Sequence, residues 1–218
     1  MTVQVSIPDF AAARRAMIES QLRPEGVTDA GVLAAMGEVA RETFVPEQVR
    51  PLAYADRSLA LGGGRFVAAP AVLGKLLTEL APVAGERALV VGGGTGYSAA
   101  VLSAMGCDVR LLESAADCAG RARELGVKVV EGPLEAGHSA AAPYDLILID
   151  GAVEYLPDPI IQQLSDGGRL GAALADRGVT RLIVGHKVGE AFGYLSIADA
   201  GVAALPGFTR PRPFTFER

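Results

Sequence analysis

Short apolar runs alternate with helix-like stretches along most of this chain. Ala88-Leu-Val-Val91 and Leu146-Ile-Leu-Ile149, and with one arginine Val109-Arg-Leu-Leu112, are too short and too apolar for amphipathic helices. They suit strands buried on both faces. The pattern predicts strands near 87–91, 108–112, 127–130 and 145–149, with helices near 97–105, 115–125 and 157–164. Further strands follow near 168–173, 180–187 and 191–198; Gly189-Glu190 separates the last two and predicts a hairpin. Strands separated by helices of about ten residues predict an α/β fold with a doubly wound, mostly parallel sheet and an antiparallel edge hairpin.

The first eighty residues follow another rhythm. Pro8 to Leu22 carries Ala, Arg, Met and Ile at helical spacing, and Thr28-Asp29 can cap a second helix through Met36. Phe44-Val-Pro46 ends that region, Leu52 to Pro70 reads as a loop around Gly62-Gly63-Gly64, and Ala71 to Leu80 is a third helix. At 218 residues the chain is expected to form one domain, 1–218, in which 1–80 makes a helical cap and substrate loop over the ligand edge of an 81–218 core.

Candidate chemistry concentrates after the first core strand. Glycines stand at 92, 93, 94 and 96, and a helix begins at Tyr97. A strand that turns through glycine into a helix brings bare backbone N–H groups up to a ligand. Glu113 ends the next apolar run, where a carboxylate can accept hydrogen bonds from ribose hydroxyls. Dinucleotide folds want glycine at the first, third and sixth positions, and the sixth here is Tyr97. The pattern Gly92-x-Gly94-x-Gly96 instead resembles the turn of S-adenosylmethionine (SAM) methyltransferases.

Composition narrows the partners. A net charge of −5 without any basic run argues against a nucleic-acid surface. Cys107, Cys118, His138 and His186 have no metal-ligand spacing. Ala88 to Cys107 is uncharged, yet its glycines, Thr95, Ser98 and Ser103 make a poor membrane span. Met1 to Asp9 lacks the basic start and apolar stretch of a targeting segment, and the expected compartment is a reducing cytoplasm.

Several stretches, in order, resemble the protein-L-isoaspartate O-methyltransferase family over roughly residues 13 to 208. They are Ala13-Arg-Arg-Ala-Met-Ile-Glu-Ser-Gln-Leu22, Val32-Leu-Ala-Ala-Met36 with Phe44-Val-Pro46, and Tyr54-Ala-Asp56 with Leu61-Gly62. Pro143-Tyr-Asp145 through Ile149, Leu164 and Gly167-Gly-Arg-Leu170 continue the likeness. The resemblance implies a SAM-dependent enzyme that methylates the α-carboxylate of isoaspartyl residues in damaged proteins or peptides. Such a carboxylate is already ionised at neutral pH, its pKa being roughly 3.3–3.7, so the reaction needs alignment more than a general base. The catalytic residue is left unassigned, and no metal is expected. The resemblance puts the cofactor at Gly92, Gly93, Gly94, Thr95, Gly96, Glu113, Leu134 and Asp150, and the substrate at Arg65, Phe66, Val67 and Ala68.

The chain departs from the family pattern at defined positions. Gly64 to Pro70 stands where the family has Gly-Gln-Thr-Ile-Ser-x-Pro, so Phe66 and Ala68 replace both hydroxyl residues. Val90 replaces an acid two places before the first glycine, and Gly132-Pro133-Leu134 replaces Gly-Asp-Gly. Arg65 is expected to be a solvated loop arginine, with pairing to an anionic group as the other reading. Asp150 either meets the cofactor, a metal or a substrate proton, or caps the next turn. Two further functional readings stay open: a catalytically degenerate relative acting as a binding or regulatory module, and a methyltransferase retuned to another acceptor.

Overall fold

The computed structural model describes residues 9–210. The predicted start of the first helix at Pro8 lies outside that range. Helix α1 (Phe10–Met17) is capped by Asp9, whose Oδ1 accepts the N–H of Ala12 at 2.9 Å; a π-helical turn over Ile18–Leu22 continues it. Asp29 caps α2 (Ala30–Glu38) in the same way, through Val32 N–H at 2.8 Å.

The stretch 52–70 is not a plain loop. It contains a two-stranded antiparallel hairpin, β1 (Leu59–Gly62) and β2 (Arg65–Val67). Gly62, Gly63 and Gly64 all have positive φ (95°, 56°, 73°), which only glycine adopts at no steric cost, and this lets the chain reverse so tightly. Leu59, Arg65 and Val67 face inward. Helix α3 (Pro70–Leu80) follows.

The core is a seven-stranded sheet in the order β5-β4-β3-β6-β7-β8-β9. Its strands are β3 (Arg87–Val91), β4 (Asp108–Glu113), β5 (Val129–Glu131), β6 (Tyr144–Val153), β7 (Leu164–Asp176), β8 (Val179–Val188) and β9 (Ala191–Asp199). Helices α4 (Tyr97–Ala104), α5 (Ala116–Glu124) and α6 (Asp158–Gln162) connect the parallel ones. The first five strands in that order run parallel, and β8 and β9 are antiparallel additions. Strand β7 outruns its predicted 168–173 at both ends, because Leu164 pairs with Tyr144 of β6 at one end and β8 pairs with it through Asp176 at the other.

Helix α2 packs on α4, and α3 packs on β7 and β8, where Gly171 makes room for Leu80. The hairpin β1–β2 and the turn at Phe44–Pro46 border the ligand edge, Leu61 lying against Gly94 and the Thr95 hydroxyl on Phe44 O. Met17, Leu33 and Leu77 share one apolar core with Val90, Leu111 and Leu148. A second core under the opposite face holds Leu89, Ile147, Leu170 and Phe208.

Residues beyond β9 return to the same edge. Ala152 N–H donates to Ala203 O, and Leu205 N–H donates to Ala152 O, each at 2.8 Å. Residues 203–205 thus run parallel to the last turn of β6, past the point where β3 stops pairing at Ile149.

Candidate functional site

The site is assembled where β3 ends. Its residues 88–91 are buried, and the chain then turns through Gly92, Gly94 and Gly96 with φ of 73°, 57° and 92° before α4 starts. Gly92 N–H is held by Leu112 O at 2.8 Å, which ties the turn to β4. A Cβ on Gly93 would lie 2.8 Å from Val90, and one on Gly96 would lie 2.9 Å from Val127. The glycines therefore answer close packing as well as conformation. Thr95 is buried and its hydroxyl donates to Phe44 O.

Glu113, the last residue of β4, is fully buried. Its Oε2 accepts Gly94 N–H at 2.9 Å, and its Oε1 accepts Ser114 and Ala115 N–H at 2.7 and 2.8 Å. Arg65 completes the arrangement. Its Nε donates to Oε1 at 2.8 Å and its Nη2 to Ser114 Oγ at 2.7 Å, with 4% of the side chain exposed. The expectation of a solvated loop arginine is wrong: the hairpin turns Arg65 inward, where the Glu113 carboxylate and the Ser114 hydroxyl offset the cost of burying its guanidinium.

Two leucines close the rest of the hollow. Leu205 lies over Gly92 and Gly151, whose Cβ positions would be 2.6 and 2.8 Å from it. Leu61 Cδ1 lies 2.5 Å from where a Gly94 Cβ would stand. What remains between Phe66, Ala68, Gly92, Asp150 and Leu205 is about 10 Å³. That is room for about one water, whereas small-molecule and cofactor sites measure roughly 300–1,000 Å³. On the far side of Leu61, a recess of about 180 Å³ lies between Phe44–Pro46 and α5. It too falls below that range.

The remaining expected residues are distributed around this centre. Asp150, on the β6 edge of the small cavity, accepts from Ser98 Oγ. Burial pushes its carboxyl up to about 6, against the opposing pull of Ser98 and Arg41. Leu134 is buried in the second core. Phe66 is half-buried beside the cavity and Val67 is buried. Ala68 O accepts from Arg41 Nη2 at 2.6 Å.

Arg41, Ser98, Ser114 and Leu205 shape the site without having been expected in it, and Leu61 was named only within the family resemblance. Arg41 is fully buried, with its Nε on Ala53 O at 2.7 Å and its guanidinium 4.8 Å from the Tyr97 ring centre. Its position three residues before Phe44-Val-Pro46 was the one available signal. Leu205 sits in an Ala/Gly/Pro stretch with no periodicity, so nothing local marks it.

The profile described as "Protein-L-isoaspartate(D-aspartate) O-methyltransferase (PCMT)" matches residues 12–192. The chain belongs to that family. A protein-L-isoaspartate O-methyltransferase of Methylorubrum populi is 42% identical over 165 residues, covering 73% of this chain and 78% of its own length. One of Herpetosiphon aurantiacus is 35% identical, over 89% of this chain and 90% of the other. Among solved structures, a protein-L-isoaspartate O-methyltransferase superposes with a TM-score of 0.78 at 24% identity, covering 89% of this chain and 66% of that one. A Plasmodium falciparum chain described as such an enzyme in complex with S-adenosyl-L-homocysteine gives 0.76 at 19% identity, over 88% and 97%. These structural likenesses bear on the fold.

Isoaspartate methyltransferases of this family use SAM. In the arrangement seen here the site is closed to it. The carboxylate that would meet the ribose is taken by Arg65, and the space beside the turn is taken by Leu205 and Leu61. Among the described residues there is no group of three or more His, Cys, Asp or Glu that could hold a metal. No helix among them is long and apolar enough to cross a membrane.

Proposed function

We propose that this chain is a SAM-dependent protein-L-isoaspartate O-methyltransferase, acting on the α-carboxylate of isoaspartyl residues in proteins or peptides. The match across residues 12–192 carries the reading. The retained Gly92, Gly94 and Gly96 turn, with Glu113 bonded to Gly94 N–H, supports it. In this reading Gly92 to Gly96, Glu113, Leu134 and Asp150 border the cofactor, and Arg65 to Ala68 border the substrate. One 1–218 domain is consistent with the apolar core shared by residues on both sides of position 81. The buried, free thiols of Cys107 and Cys118 suit a reducing cytoplasm.

The filled hollow favours a second reading, a family member that no longer transfers methyl groups and serves as a binding module. Methyl transfer from SAM to an isoaspartyl peptide, compared with its aspartyl twin, decides between them. Methyl ester formed on the isoaspartyl peptide alone supports the enzyme. None on either peptide, at millimolar SAM, supports the second reading.

A further inference from the structure

The hollow that should receive the adenosyl group is filled by this chain in a way that imitates a ligand. On Glu113, Arg65 Nε donates to Oε1, the kind of bond a ribose hydroxyl would make, while its Nη2 donates to the neighbouring Ser114 hydroxyl. In doubly wound sheets the ligand crevice opens where strand order reverses, beyond the carboxyl ends of the strands. Here that point lies between β3 and β6, and residues 203–205 run through it along β6. The side chain they carry over the turn is Leu205, in contact range of Gly92 and Gly151.

We propose that Arg65 and Leu205 are built-in competitors of the adenosyl ligand, and that SAM or its product enters only by displacing both. The proposal rests on the family reaction proposed above. Both occupants can leave. Glu113 keeps three backbone N–H donors without Arg65, so its charge stays satisfied and its outer face becomes free. A Cβ added at Gly62 or Gly63, at the tip of the hairpin carrying Arg65, or at Gly201, ahead of the Leu205 segment, would meet nothing within 4 Å, so these positions are not packed against the rest of the fold. A protein whose competent form is a minor fraction binds weaker by that fraction. If the open form is about a tenth of the molecules or less, removing the occupants tightens binding about ten-fold or more.

Titrating S-adenosylhomocysteine into the full-length wild type and into Arg65→Ala, Leu205→Ala, the double variant and Leu205→Met tests this. Each protein's thermal unfolding is recorded to show that it is folded. The expected result is affinity at least about ten-fold tighter in the double variant than in wild type, each alanine variant lying between, and Leu205→Met unchanged because volume is kept. Equal affinity in wild type and double variant overturns the competition and leaves the family reaction standing. No binding by any of the folded proteins overturns both.

Discussion

Arg65 Nε donates to Glu113 Oε1 at 2.8 Å, and both side chains are sealed from solvent. The two ends of this pair are not equivalent. Glu113 has backbone donors besides Arg65, whereas among the described residues Arg65 has only Glu113 as a counter-charge. Glu113→Gln should therefore destabilise more than Arg65→Ala. Leaving a buried charge unpaired costs about 3–5 kcal/mol. Losing one of several bonds to a charged group costs about 1.5–3 kcal/mol. Urea denaturation of both variants checks the order, and equal or inverted costs would contradict it.

Leu205 and Gly92 should be energetically coupled. Gly92→Ala meets Leu205 at 2.6 Å and also strains a backbone with φ of 73°. Leu205→Ala relieves the first of these and not the second. A double-mutant cycle should give a favourable coupling of at least about 1 kcal/mol, within the roughly 0.5–3 kcal/mol usual for residues in contact. Additive effects would mean that Leu205 does not press on the turn.

Asp150 should leave a mark on stability against pH. Burial raises its carboxyl from 3.8 to about 6, Glu113 adds to the rise, and Ser98 and Arg41 oppose it. A folded pKa above the unfolded one gives stability that is present below about pH 4 and lost as pH rises through about 6. At about 1.36 kcal/mol per unit, the contribution is on the order of 3 kcal/mol. Asp150→Asn should flatten the stability profile across that window. Identical profiles for wild type and variant would contradict this.

Arg41 is held as a fork, Nε on Ala53 O and Nη2 on Ala68 O, over the Tyr97 ring. Lysine keeps the charge but cannot reach both carbonyls. Arg41→Lys should cost about 1–3 kcal/mol, the usual penalty for a buried group left unsatisfied. The shift in the urea midpoint measures it, and an unchanged midpoint would contradict it.

The sheet was legible because it is written locally. Ala88–Val91, Leu111–Leu112 and Leu146–Ile149 are apolar on both faces, and the glycines that follow Val91 leave few alternatives to a strand–turn–helix. The hairpin at 59–67 was not legible, since strands so short have no periodicity to read and depend on the turn at Gly62–Gly64. The glycine turn and Glu113 were visible as a pair, but what covers them was not. Arg65 lies 48 positions from Glu113, and Leu205 meets Gly92 only because a return segment bonds to Ala152. Contacts made by the path of the whole chain leave no pattern in a short window of sequence.

A crystal structure grown with saturating S-adenosylhomocysteine reads the relation between occupants and ligand atom by atom. Glu113 should then bond the ribose hydroxyls, with Arg65 Nε beyond hydrogen-bond distance and the Leu205 side chain withdrawn from Gly92. Arg65 still on Glu113 and Leu205 still over Gly92, with the nucleoside bound elsewhere or absent, would contradict it.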